Sequence, residues 1–141
     1  MGVSRKDLYS YTASMFVGIV KGIYRHMPTA LSTEDTANGF IVIRMGDIKD
    51  YSEIIGNTDA KTRIYVECYV PDVNTTTTNG VMSTTKYDAM QQAVDDRIDA
   101  ESDKLNHTYT ISRDGILSSD DTYVNKANSF MVYITSFQVI I

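Results

Sequence analysis

Arg63-Ile64-Tyr65-Val66-Glu67-Cys68-Tyr69-Val70 alternates without a break. Ile64, Val66, Cys68 and Val70 fall on one side of an extended chain, and Arg63, Tyr65, Glu67 and Tyr69 on the other. A period of two in β-branched and aromatic residues, closed here by Pro71, is the pattern of a half-buried strand. The stretch reads as the central strand of the domain, with two amphipathic helices lying over it. Cys68 sits on the apolar side, where a free cysteine behaves as a small hydrophobe.

Working back from this strand, Gly39 opens a second apolar run, Phe40-Ile41-Val42-Ile43-Arg44-Met45. Between the two strands lie residues 46–61, a long connection for a compact domain. It holds Tyr51, Ile54 and Ile55, then the turn sequence Gly56-Asn57-Thr58-Asp59. The expected arrangement is a pair of long strands extended into a hairpin arm, whose isoleucines bury against a subunit neighbour or the domain's own edge. Earlier still, Ser4 and Asp7 mark a helix start. Leu8, Met15, Phe16, Ile19 and Ile23 continue at helical spacing to a stop at Pro28. Gly18 and Gly22 then fall inside that helix, as a ridge where its backbone sits close to a sheet or a neighbour. Residues 29–38, rich in Thr, Ser, Asp and Asn, read as a loop.

Forward of Pro71, residues 72–85 carry a Thr75-Thr76-Thr77-Thr78-Asn79-Gly80 core and read as a polar surface loop. Thr85 and Asp88 open a second helix, with Tyr87, Met90, Val94 and Ile98 as its apolar stripe. Asp95, Asp99 and Asp103 recur at four-residue spacing on the opposite face, where like charges are mildly destabilising. That face is either plainly solvated or kept negative for a partner or a channel. Residues 107–112 read as a third strand, Arg113-Asp114-Gly115 as a turn and residues 118–122 as loop. Residues 130–141 form a long apolar strand, which either fills the sheet centre or adds to the edge of an adjacent subunit. The fold class expected is α+β in one domain, residues 1–141. It is a four-stranded, mainly antiparallel sheet with two helices packed on one face, in the order α-β-β-α-β-β, with a long hairpin arm between the first two strands.

Composition narrows the function. A chain of 141 residues buries enough surface to fold without a metal or disulfide staple. The net charge of −5, with 13 scattered Lys and Arg, argues against a protein that coats nucleic acid. The single cysteine excludes an internal disulfide. There is no apolar run of signal-peptide or membrane-span character, so the expectation is a protein made and folded in a cytoplasm. Ten tyrosines and seven methionines lean toward interfaces, where both residue types are favoured.

Catalytic patterns are missing from the sequence. There is no Gly-rich phosphate loop and no strand–Ser–helix elbow. His26 and His107 have no metal-ligand spacing around them, and Asp120-Asp121-Thr122 lacks the calcium-loop pattern. Glu67 could serve as a general acid or base, but a cross-strand pair with Arg44 or a subunit neighbour accounts for it more simply. The chain therefore reads as non-enzymatic, with no cofactor.

In the order of its elements, the chain resembles the tail-terminator and head–tail connector proteins of tailed bacteriophages. The likeness rests on an opening amphipathic helix ending near Pro28 and on strand 40–45 joined through a long connection to strand 63–70. It continues with an acidic helix from Lys86 and a closing C-terminal strand. It spans nearly the whole chain as a pattern of elements and a length. The resemblance implies a virion structural protein, a subunit of a six- or twelve-fold ring around the DNA path at the neck, beside portal, neck or tail proteins. DNA would be near but not specifically bound, and no membrane is involved. The arm with Tyr51, Ile54 and Ile55, and the strand face with Tyr65, Glu67 and Tyr69, would make the subunit interface. The Asp95, Asp99, Asp103 stripe would line the lumen. Two other classes compete. One is a protein-binding module, an adaptor or assembly chaperone, using loop 72–85; the other is a small enzyme using Glu67 or the Asp cluster.

Overall fold

The computed structural model describes residues 5–46, 49–50, 60–71, 85–102, 109–112, 119–125 and 128–140. Its elements run α1 (Arg5–Met15), β1 (Gly22–Tyr24), α2 (Thr33–Asn38), β2 (Phe40–Met45), β3 (Lys49–Asp50) and β4 (Ala60–Pro71). They continue with α3 (Thr85–Ser102), β5 (Thr110–Ser112), β6 (Ser119–Asn125) and β7 (Asn128–Ile140). The strands form one mixed sheet along the path β1-β2-β4-β7-β5, with β3 added to β4 and β6 added to β7. The four-stranded, two-helix order expected from the sequence is therefore wrong. Among the described residues there are three helices and a longer sheet, and β1 runs parallel to β2.

Each departure has a physical cause. The opening helix stops at Met15, thirteen residues short of Pro28. Gly18 takes φ +93°, a left-handed conformation that no helix interior tolerates, and the chain turns into β1. Gly22 lies in that strand because a side chain there would collide with the Asp35 carboxylate. The segment expected to be loop contains α2, whose first turn is closed by a capping box. Ser32 accepts from the Asp35 backbone N–H at 3.1 Å, and the Asp35 carboxylate accepts from the Ser32 N–H at 3.2 Å. At six residues the helix is too short to show a period. With α2 as a crossover, β1 and β2 can lie parallel, an arrangement closed to tight hairpins. Residues 119–122, expected as loop, belong to β6. Its polar sequence is overridden by ladder pairing with β7 from Ser119↔Ile134 to Asn125↔Asn128.

The central pairing is as the alternation demands. β4 lies antiparallel between β2 and β7, in register from Phe40↔Tyr69 to Met45↔Ile64 on one side and from Lys61↔Ile140 to Pro71↔Phe130 on the other. Ile64, Val66, Cys68 and Val70 are all buried, and with Ile41, Ile43, Phe137 and Val139 they form a floor under α1 and α3. Leu8 comes down on it from α1, Phe16 from the turn after it, and Tyr87, Met90, Val94 and Ile98 from α3. Of the two readings of the terminal strand, the structure takes the first: β7 fills the sheet centre. The helices do not all share one face. Phe40, Val42, Tyr69, Phe130 and Val132 form a second core on the other side, packed against Tyr24, Met27 and Leu31 from the chain leading into α2. Phe40 stacks on Tyr69 at 4.6 Å between centroids and meets Phe130 edge-on at 5.5 Å. Gly39, at φ +91°, makes the close approach possible, since a Cβ there would strike the Tyr69 carbonyl.

Of the expected hairpin arm, the structure describes only β3, which pairs with the start of β4, Lys49↔Lys61 and Asp50↔Ala60. Residues 51–59 lie outside the described residues, as do 72–84 and 103–108.

Candidate functional site

Cross-strand partners share a face, so the registers assign every residue of the second sheet face. From the aromatic core it runs through Val42, Glu67 and Ile134, then Arg44, Tyr65 and Ser136, to Arg63 and Gln138. The Phe40 end of this face is closed over by residues 24–38. Toward the other end, Arg63, Tyr65, Glu67, Ile134 and Gln138 are half-buried and Arg44 is exposed. Among the described residues, no helix covers this half of the sheet.

Its polar groups are tied to one another. The Arg44 Nε donates to Glu67 Oε2 at 2.9 Å, a diagonal cross-strand pair. The Tyr69 hydroxyl donates to Glu67 Oε1 at 3.0 Å. Burial first, then the Glu67 carboxylate, pushes the Tyr69 hydroxyl above the usual phenol range. The bond to Glu67 likewise raises the Arg44 guanidinium. Both Glu67 oxygens are thus occupied, which fits the pairing role expected for it. Arg63 Nη1 donates to Ser136 Oγ at 3.0 Å, and Ser136 is fully buried. The result is a pre-ordered surface of tyrosine, isoleucine, the paired Arg44 and Glu67, and Arg63 anchored on Ser136.

The sequence-derived candidates separate into three groups. Tyr65, Glu67 and Tyr69 share this face, with Tyr69 turned into its aromatic core and only 6% exposed. Tyr51, Ile54 and Ile55 lie outside the described residues, and so do Asp103 and all of loop 72–85 except Thr85. Asp95 and Asp99 sit on α3 but differ in surroundings. Asp95 is half-buried and accepts from the Tyr133 hydroxyl at 3.0 and 3.2 Å, while Asp99 is exposed. Tyr11 binds Glu101 in the same way at 2.7 Å. Part of the acidic helix is therefore spent on holding α3 to the sheet and to α1.

No family model matches this chain, and no curated protein matches it.

The remaining chemistry is sparse. Cys68 is buried, and burial raises its thiol well above the ordinary range, so it stays protonated. Among the described residues there is no group of three metal-ligating side chains, and no helix is long and apolar enough to cross a membrane. Asp120 and Asp121 lie in β6. An apolar groove of about 620 Å³ runs beside the turn after α1, lined by Val17, Ile19, Val20 and Ile23 with Lys21 and Glu34 at its rim. Val17 is 65% exposed there.

One cluster escaped the sequence entirely. Arg5, Arg25, His26 and Arg44 come from three separate segments to line a pocket of about 310 Å³ over Ile43 and Met45. In the sequence, Arg25 and His26 look like cations at a helix C-terminus, which is how the overlong opening helix disguised them. Only the strand β1 in its place reveals where they point.

Proposed function

We propose that the chain is a non-enzymatic structural subunit that assembles with copies of itself into a ring at the head–tail junction of a tailed bacteriophage, as a tail terminator or neck connector around the DNA path. It would be made in the bacterial cytoplasm and reside in the virion neck, against portal, neck or tail proteins. The observation that carries this reading is the open half of the second sheet face. Tyrosine, arginine and isoleucine on this sheet face, with Arg44 paired to Glu67, match the composition of an interface core. A closed ring needs two unlike surfaces per subunit. The sheet face supplies one, and the connection between β2 and β4, with Ile54 and Ile55, supplies the other. The exposed acids of α3, Asp99 among them, would keep a lumen from binding DNA tightly.

Native mass measured across a wide concentration range tests the reading. The expected result is a defined oligomer of six or more subunits. Tyr65→Asp on the sheet face, and Ile54→Asp with Ile55→Asp on the arm, should each yield a folded monomer. A wild-type protein that stays monomeric at every concentration overturns self-assembly. Rings that persist in either variant remove that surface from the interface.

A further inference from the structure

β1 pairs with β2 only from Gly22↔Phe40 to Tyr24↔Val42, whereas β2 runs on to Met45. The sheet edge therefore has a notch where β1 stops. Arg25 and His26, the two residues after β1, stand at one side of it, Arg44 rises from β2, and Arg5 reaches in from the start of α1. The net charge of the chain is −5, yet none of the described residues lining this notch is acidic.

Of the three guanidiniums, only that of Arg44 has a carboxylate partner among the described residues. Arg5 donates to the Gly46 and Met45 carbonyls, both at 3.3 Å, which fixes the guanidinium with neutral partners. Arg25 lies over the Tyr9 ring at 5.9 Å, again a neutral partner. Arg44 pairs with Glu67 through Nε. Three guanidiniums thus face one carboxylate, with His26 beside them. Guanidinium forks held in place suit an anion with several equivalent oxygens, which they bind in bidentate fashion.

We infer that this notch is a binding site for a phosphate group, held by Arg5, Arg25, His26 and Arg44. The inference does not depend on ring assembly. The group can belong to a free phosphorylated molecule or to a nucleic-acid backbone, and the recognition chemistry is the same.

Calorimetric titration of the full chain at low salt, with inorganic pyrophosphate in one arm and a short duplex oligonucleotide in the other, separates the two sources. Saturable pyrophosphate binding at one site per chain identifies a free ligand. Binding of the duplex alone, weakening steeply with added salt, identifies a backbone phosphate. In either arm, Arg25→Gln combined with His26→Gln should weaken binding at least tenfold while the thermal midpoint stays close to wild type. Lys86→Gln, on α3 and outside the lining of this notch, should change nothing. The site is overturned if neither probe binds, or if the double variant binds as wild type does.

Discussion

A buried carboxylate is tolerated only when its oxygens are supplied with donors. Asp35, 1% exposed, is supplied at Oδ2, which accepts both from the Tyr24 hydroxyl at 2.6 Å and from the Ser32 N–H. The same bond raises the Tyr24 phenol from 10 to about 12, with burial and the nearby negative charge adding to it. The sign follows directly. A folded-state pKa above the unfolded one means that the folded chain holds the proton more tightly, so this contribution is complete below pH 10 and is lost as pH rises toward 12. Tyr24→Phe should therefore cost about 1–2 kcal/mol near neutrality. Its deficit relative to wild type should narrow steadily above pH 10, measured by urea unfolding at a series of alkaline pH values. A constant deficit would detach the tyrosine from Asp35. Among residue-level contacts, the Arg44–Glu67 pair could be read from the sequence because strand alternation places both on one face. The Tyr133–Asp95 and Tyr11–Glu101 bonds could not, since they join residues far apart along the chain whose meeting depends on how α3 docks.

At the scale of elements, the long strands and α3 were visible because their periods are sustained. α1 was visible only in part. Phe16, Ile19 and Ile23 keep a helical spacing after the helix has ended, so periodicity alone runs on to Pro28. Gly18 turns the chain out of the helix, and a tertiary contact holds the terminus in place. Arg97 of α3 donates from Nη1 to the Met15 carbonyl at 2.8 Å and to the Val17 carbonyl at 3.1 Å. It thereby satisfies acceptors left open at the helix terminus, and it places a cation at the negative end of the dipole. α2 escaped because six residues cannot show a period, although Ser32 and Asp35 spell its capping box. β6 escaped because Ser, Asp and Asn are poor strand formers, and only β7 makes it one. Arg97→Ala should lower the unfolding free energy by about 1–2 kcal/mol, as charged hydrogen bonds at a partly exposed site do. It should also speed amide exchange in α1 more than in the β4–β7 ladder. Lysine at the same position, with the charge but without the fork, should restore less than half. An unchanged urea midpoint in the alanine variant would mean that Gly18 alone terminates α1.

For the whole molecule, the alternating stretch at 63–70 and the long apolar run at 130–141 held the plan of the sheet, and the parallel β1 and the second core did not show through them. The reason is that neighbours in the sheet are distant in the chain. β7 pairs with β4 along one edge and with both β5 and β6 along the other. It sends Tyr133, Phe137 and Val139 into the core beneath α1 and α3, and Phe130 and Val132 into the second core. Each such side chain contributes on the order of 1.5–3 kcal/mol when buried, so five together are comparable with the roughly 5–15 kcal/mol that holds an ordinary domain folded. Without β7, β5 and β6 have no partners and β4 presents a bare edge, which is a template for aggregation. A chain ending at residue 127 should therefore lack a cooperative thermal transition and should associate non-specifically. A synthetic peptide of residues 128–141 added during refolding should restore the transition, because strand addition to an open edge is driven by the same backbone bonds and pockets as the intact ladder. The decisive comparison is circular dichroism melting of the truncated chain with and without the peptide. A sharp transition in the truncated chain by itself would show that the helices and β2–β4 form a stable unit, and that β7 is an addition to the fold instead of its centre.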